Sequence, residues 1–230
     1  NGVAVIWDDA FYFCAGLTSL SLPPSLTTIG NGSFEYCYAL TNLVIPGSVT
    51  SMGSDAFHFC RGLKNLVISE GATSIGVNAF GACTNLSTVT ISGSVNNLGD
   101  DAFAFCPNLK SIYCEGNAPT VGGSTFIFDS ATVYYLPGTT GWAASLGGLP
   151  TALWAPQMQG GDGQPGARTN RFGFNINWAS GQTVVVEACT NLFNPVWQPV
   201  QTNTLTTGSG YFSDPQWANY PGRFYRLRSP

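Results

Sequence analysis

The sequence is short of charge, of histidine and of long apolar runs. Only 9% of its 230 residues are charged, and 8 Lys and Arg stand against 12 Asp and Glu for a net charge of −4. With no basic run to neutralise a row of phosphates, nucleic acid is not an expected partner. No apolar stretch approaches the roughly 20 residues that cross a bilayer, so no membrane span is expected either. The opening residues, "NGVAVIWDD", lack the basic segment and apolar core of a signal peptide. One histidine, His58, leaves Ser and Cys nucleophiles short of a partner base. "VGGS" and "QGGDGQPG" are not followed by Lys-Ser/Thr and a helix, so they form no phosphate cradle.

What the chain does have is a repeat. Phe recurs at positions 11, 34, 57, 80, 103 and 126, and Cys at 14, 37, 60, 83 and 106, a period of 23 without a slip. The unit reads A-F-x-x-C-x-x-L-x-x-L-x-I-P-x-S-V-T-x-I-G-x-x and supplies further apolar columns. They are Leu17, Leu40, Leu63, Leu86 and Leu109; Leu20, Leu43, Leu66, Val89 and Ile112; Leu22, Ile45, Ile68, Ile91 and Cys114. Two more contain Leu26, Val49, Ala72 and Val95, and Ile29, Met52, Ile75 and Leu98. At about 1.5–3 kcal/mol per buried large apolar group, stacked columns stabilise an array that one unit could not. L-x-x-L-x-L marks a short strand, and the fold class expected is a β-rich leucine-rich repeat solenoid with short helical turns, followed by a small all-β domain.

Within the unit, Gly16, Gly62, Asn85 and Asn108, with Ala39 as exception, suit a left-handed turn. Asp9, Asp55, Asn78 and Asp101 precede the A-F pair, where they can cap a helical turn. The cysteines stand one per turn, not as the convergent ligands zinc needs, and turns about 4.8 Å apart hold Cβ atoms farther apart than a disulfide prefers. Cys14, Cys37, Cys60, Cys83 and Cys106 are therefore expected as free thiols, and Cys189 as unpaired. His58 occupies a variable outward position, where sister units have Tyr12, Glu35, Gly81 and Ala104. Asp8/Asp9 and Asp100/Asp101 read as solvated caps and not as a glycosidase pair. No catalytic residue, metal site or cofactor is assigned. The aromatic series Phe13, Tyr36, Phe59 and Phe105 reads as inner packing in preference to an exposed ridge.

The 23-residue unit, most complete in "SFEYCYALTNLVIPGSVTSMGSDA", resembles the BspA-type leucine-rich repeat family of bacterial surface and secreted proteins. The resemblance spans residues 3 to about 136 and departs from the pattern where Ser69, Ser92 and Glu115 replace the Pro of "IPxS". It implies a secreted or cell-surface location and adhesion to a host or matrix protein.

Residues 3–11 align with 49–57, so the chain opens inside a unit, and Asn1 is not expected to be the native start. The open end suggests self-association by stacking. After Phe126 the spacing shortens to 21, placing Val133 and Tyr135 in the Ile112 and Cys114 columns. Residues 1–155 are read as the solenoid, capped from about 126, with Trp142 and Trp154 covering the last core face or, as the functional alternative, forming an aromatic platform for a sugar. Residues 156–170, "PQMQGGDGQPGARTN", read as a Gly/Pro-rich linker. Residues 171–230 read as a small β-sandwich-like domain; with "VVVEACTNLFNPVWQPV" and "FSDPQWANYPGRFYRLRSP", residues 167–230 resemble a β-module that ends many secreted proteins of environmental bacteria. Arg223, Arg226 and Arg228 are expected to form one solvated face of its last strand.

If the repeat leucines point inward, the outward sheet face presents Ser19, Ser21, Asn42, Val44, Asn65, Val67, Thr88, Thr90, Ser111 and Tyr113, with Lys64 and Lys110 alongside. This neutral face is the expected contact for a protein or polysaccharide ligand in a non-catalytic adhesion module. The alternatives are a structural subunit of a fibre or surface layer, and an accessory fragment of a larger secreted enzyme.

Overall fold

A computed structural model describes residues 2–154, 157–159, 166–168, 171–193, 195–220 and 222–230. The chain divides into two compact units, Asn1–Trp154 and Ala155–Pro230.

The first unit is a β-solenoid. Its wall is a parallel sheet of β1 (Asn42–Ile45), β2 (Asn65–Ile68), β3 (Thr88–Ile91), β4 (Ser111–Cys114), β5 (Thr132–Tyr135) and β6 (Leu149–Leu153). The short strand Ser145–Leu146 closes the far edge, antiparallel to β6. Register follows the repeat: Leu43 pairs with Leu66, Leu66 with Val89, Val89 with Ile112, and across the shortened spacing Ile112 with Val133. Two-residue strands on the next side of the coil pair in parallel at the same period, as in Ile29 with Met52 and Ile75 with Leu98.

The L-x-x-L-x-L segment of the first unit is the exception, for residues 17–22 form no strand. The N–H groups of Ser69, Ser92 and Glu115 each donate to the carbonyl 24 residues earlier, at Ile45, Ile68 and Ile91. Pro46 holds the equivalent place opposite Leu22 and has no N–H to give. The sheet begins at β1, one turn later than the repeat predicts.

Inside the coil, Phe34, Phe57, Phe80 and Phe103 are wholly buried and stack face to face, with centroids 5.0 Å (34–57), 5.3 Å (57–80) and 5.6 Å (80–103) apart. The thiols of Cys60, Cys83 and Cys106 donate to the carbonyls of Phe34, Phe57 and Phe80 at 3.3–3.4 Å. Each thiol thus joins two successive turns. All seven cysteines are free, and five of the six in the first unit are buried, Cys14 being exposed. Burial pushes the Cys37 thiol up to about 11 and Cys114 to about 12, and raises Cys60, Cys83 and Cys106 further. Since the thiolate is the reactive form, a disulfide-exchange reagent is expected to modify Cys14 at once in the folded chain. The buried five should react at least about 100-fold more slowly, and unfolding in urea without reductant should release all seven; prompt reaction of the buried five in the folded chain would refute this.

The turn carrying the Phe and Cys is not helical. Among the described residues the only helix is a 3-10 turn at Trp217–Asn219 in the second unit. Asp9, Asp55, Asn78 and Asp101 are left-handed, with φ from 54° to 58°, and so are not helix caps. A second left-handed column follows four residues later at Phe13, Tyr36, Phe59, Ala82, Phe105 and Phe128. This alternation aims backbone N–H groups along the stack: Asp55, Phe57 and Phe59 donate to Val77, Ala79 and Gly81 of the next turn at 2.8–3.0 Å. A helix would spend those donors within its own turn. The Gly/Asn column, by contrast, is not left-handed. At Gly62 the need is closeness, since a Cβ there would lie 2.4 Å from the Tyr38 carbonyl oxygen.

The second unit has two antiparallel sheets. In one, β9 (Arg171–Asn177) pairs with β12 (Ser209–Asp214) on one edge and with β7 (Gln157–Gln159) and β8 (Gly166–Arg168) on the other. In the other, β10 (Gln182–Cys189) lies between β11 (Gln198–Leu205) and β13 (Phe224–Arg228). The 156–170 stretch read as a linker thus contains two strands that together edge β9. Edge pairing needs only backbone donors and acceptors, which a Gly/Gln-rich segment retains. Its residues 156, 160–165 and 169–170 lie outside the described residues. Phe174, Ile176, Val184, Val186 and Phe212 are buried, and Tyr225 of β13 stacks on Phe172 of β9 at 4.9 Å, tying the sheets together.

Candidate functional site

Alternation in the parallel sheet sends Leu43, Ile45, Leu66 and Ile68 inward, leaving Asn42, Val44, Asn65 and Val67 facing out. Val44 is 55% exposed and Val67 38%, an apolar pair that contributes little to the core. Asn65 donates from Nδ2 to Asn42 Oδ1 at 2.9 Å, and Asn42 donates to Thr41 Oγ1 at 3.3 Å. These four side chains, with Ser21, Leu20, Leu22 and Pro46, line a shallow depression of about 500 Å³ at the β1 end of the sheet. It lies where residues 20–22 stand beside β1 without joining its ladder. Five of the sequence-predicted face residues, Ser21, Asn42, Val44, Asn65 and Val67, converge there.

The rest of the predicted face is spread out. Ser19 is exposed but lies on the irregular segment, so neither it nor Ser21 is part of the sheet. Thr88, Thr90 and Ser111 continue the face as half-buried positions, and Lys64 and Lys110 are exposed just before β2 and β4. Tyr113 stacks on Tyr134 at 5.2 Å and meets Trp154 at 4.6 Å, forming an aromatic end to the same face. Trp154 therefore does not cover the core as its sequence position suggested. Trp142 does pack against the core, lying flat on Tyr135 at 4.9 Å and donating from its indole to Thr139 Oγ1 at 2.9 Å.

The aromatic series is a ridge and not inner packing. Phe13 is 57% and Phe105 53% exposed, while Tyr36 stacks on the half-buried Phe59 at 5.0 Å. A left-handed non-glycine residue costs about 1–2 kcal/mol, so these bulky residues sit where glycine would be cheaper. His58, beside them, is half-buried and bonded through Nδ1 to Glu35 Oε1 at 3.1 Å, with Asp55 Oδ1 at 3.5 Å. Among the described residues no three His, Cys, Asp or Glu side chains converge in a way that could hold a metal ion.

In the second unit the arginines are paired. Arg226 and Arg228 each donate from Nε to the buried Glu187 at 2.7 Å, and Arg223 lies 2.9 Å from the buried Asp214, which also accepts from the Tyr225 hydroxyl at 2.7 Å. Arg226 and Arg228 keep nearly half of their side chains in solvent, as expected of that face, while pairing with Glu187 across the strands; Arg223 precedes the strand and is largely buried against Asp214.

The family model for the BspA type leucine rich repeat region matches residues 4–131 in six copies. The chain belongs to this family. From β1 to β4 the parallel sheet of the first unit keeps a 23-residue register, which shortens to 21 at β5. Among solved structures it is similar to the T. pallidum leucine-rich repeat protein, at 25% identity over 59% of this chain and 68% of that one, with a TM-score of 0.47. It is also similar to a leucine-rich repeat protein from Bacteroides ovatus (20% identity, 65% and 61% of the two chains, TM-score 0.30). A leucine-rich cell surface protein from Faecalibacterium prausnitzii matches at 18% identity over 65% and 70%, with a TM-score of 0.26. No curated protein matches the chain.

Proposed function

We propose that this BspA-type solenoid is a non-catalytic binding module, displayed outside the cell, that recognises a protein through the outer face of its parallel sheet. The observation that carries this reading is the depression at the β1 end, where exposed Val44 and Val67 sit beside a linked Asn42–Asn65 pair. Apolar side chains with a few fixed amide groups suit a protein segment better than a polyanion. Built on hydrogen-bonded strands, the surface is rigid and loses little entropy on binding. Its neutral character and the low overall charge favour contact recognition over electrostatic steering.

The test is a double variant, Val44→Lys with Val67→Lys, screened beside the unchanged chain against immobilised matrix glycoproteins and a glycan array. Loss of at least about tenfold in affinity for a protein ligand is expected, with an unaltered melting temperature because both side chains face solvent. Binding to glycans alone, no binding at all, or full binding by the double variant would overturn the reading.

A further inference from the structure

The left-handed column on the outer corner of the solenoid carries a ring at every described turn except one. Phe13, Tyr36, Phe59, Phe105 and Phe128 share the backbone conformation of Ala82, and only Ala82 has no ring to place. On one side of the gap Tyr36 and Phe59 stack at 5.0 Å, and on the other Phe105 and Phe128 lie 4.9 Å apart. Between Phe59 and Phe105 the coil advances two turns. The buried phenylalanines measure those steps as 5.3 Å from Phe57 to Phe80 and 5.6 Å from Phe80 to Phe103. A flat ring inserted over Ala82 would meet both neighbours at the spacing already present within the ridge.

The surroundings of the gap suit such a guest. Its floor is the small side chain of Ala82, 8% exposed. His58 borders it, since a Cβ on Gly81 would come within 3.2 Å of the imidazole. Arg61 is exposed, with its guanidinium carbon 5.2 Å from the Phe59 ring centre and 5.5 Å from that of Tyr38, and it has no ion pair among the described residues. The walls are rings held in a conformation unfavourable to them, more than half exposed at Phe105, so core packing does not account for their presence there. Stacked rings and an unpaired arginine at one surface are the composition of protein-binding hot spots.

We propose that the gap over Ala82 is a slot for one aromatic side chain of a partner protein, sandwiched between Phe59 and Phe105, with an acidic group beside it reaching Arg61. The slot lies on the turn and not on the sheet face, so it stands or falls separately from the face proposed above.

Indole-3-acetate, a flat ring with one carboxylate, is the probe. Titrated into the full chain carrying ¹³C-labelled alanine methyls, it should shift the Ala82 methyl upfield and give contacts to Phe59 and Phe105. Ala82→Phe, which supplies the missing ring on a backbone that already accepts Phe at positions 59 and 105, should abolish the effect with the fold intact. Phe105→Ala removes one wall and should also abolish it, while Arg61→Gln should weaken binding by about tenfold. An unmoved Ala82 methyl, a response that survives in both the Ala82→Phe and Phe105→Ala chains, or a response to methyl β-glucoside in place of indole-3-acetate would overturn the proposal.

Discussion

Replacing Phe80 with alanine is expected to lower the unfolding free energy of the solenoid by about 3–5 kcal/mol, the range for truncating a wholly buried phenylalanine. The ring is inaccessible and lies between Phe57 at 5.3 Å and Phe103 at 5.6 Å, so its removal leaves a void bounded by the turns above and below. Those turns are held at fixed height by the parallel ladder and by the Cys83 and Cys106 thiols, and so cannot close on the cavity. Because each unit gains its stability from its neighbours, the loss should also lower cooperativity, separating the turns before position 80 from those after it. Phe11→Ala, in the same column but 41% exposed, should cost less than half as much. Urea unfolding followed by circular dichroism measures both; equal losses, or a loss below about 1 kcal/mol at position 80, would contradict the ladder as the main support.

Asp129→Asn is expected to stabilise the same unit above neutral pH. The Asp129 carboxylate follows the exposed Phe128, accepts the Cys106 backbone N–H at 2.7 Å through Oδ1, and has a buried Oδ2 with no hydrogen-bond partner. Burial, opposed only by that one bond, lifts its pKa from 3.8 to about 7. A group whose folded pKa is raised contributes stability that is fully present below its unfolded pKa and is lost as pH rises through the folded value. The solenoid should therefore weaken steadily from about pH 4 to about pH 7 and level off beyond. For a wholly buried carboxyl the displacement corresponds to about 4 kcal/mol; at this half-buried position solvent screening reduces it to about 1–2 kcal/mol. Asparagine keeps the acceptor for Cys106 and removes the charge, so the variant should show a flat profile over that window and exceed the original chain at pH 8. A decline unchanged in the variant would assign the effect elsewhere.

The second unit has the opposite sign. Hydrogen bonds from Arg228 and Arg226 hold the Glu187 carboxyl below its ordinary value, so its contribution is present above the unfolded pKa and lost as pH falls through the folded one. Lowering the pH through the carboxylate range should loosen the second unit, whereas raising it from about pH 4 to about pH 7 should loosen the first.

The columns were legible because a period of 23 leaves only one arrangement in which Phe57, Cys60, Leu63, Leu66 and Ile68 all avoid water. The same spacing foretold the register at the shortened step, Val133 against Ile112. What the repeat concealed was the path of the backbone between those side chains. Asp before a short polar run is compatible with a helix cap and with a left-handed residue, and only the donors of the neighbouring turn choose between them: Asp55, Phe57 and Phe59 find acceptors one turn away at 2.8–3.0 Å. Once that choice is made, the residue two after Phe57 must point outward, which turned the expected inner packing of Phe59 into a ridge.

The candidate face was legible in the same uneven way. Period-two alternation placed Asn42, Val44, Asn65 and Val67 outside correctly. It could not show that residues 20–22 stay out of the sheet, and so it missed the depression they line beside β1. Likewise Tyr134 and Trp154 joined the face only through pairing of β5 with β4 and β6, and Glu187 met Arg226 and Arg228 only through pairing of β10 with β13. By itself the sequence determined which side chains are buried and how far apart the turns repeat, because burial of a strictly periodic pattern has a single low-energy solution. The tertiary structure decided where donors without partners, missing donors and missing rings fall on the surface, because each depends on what the neighbouring turn presents.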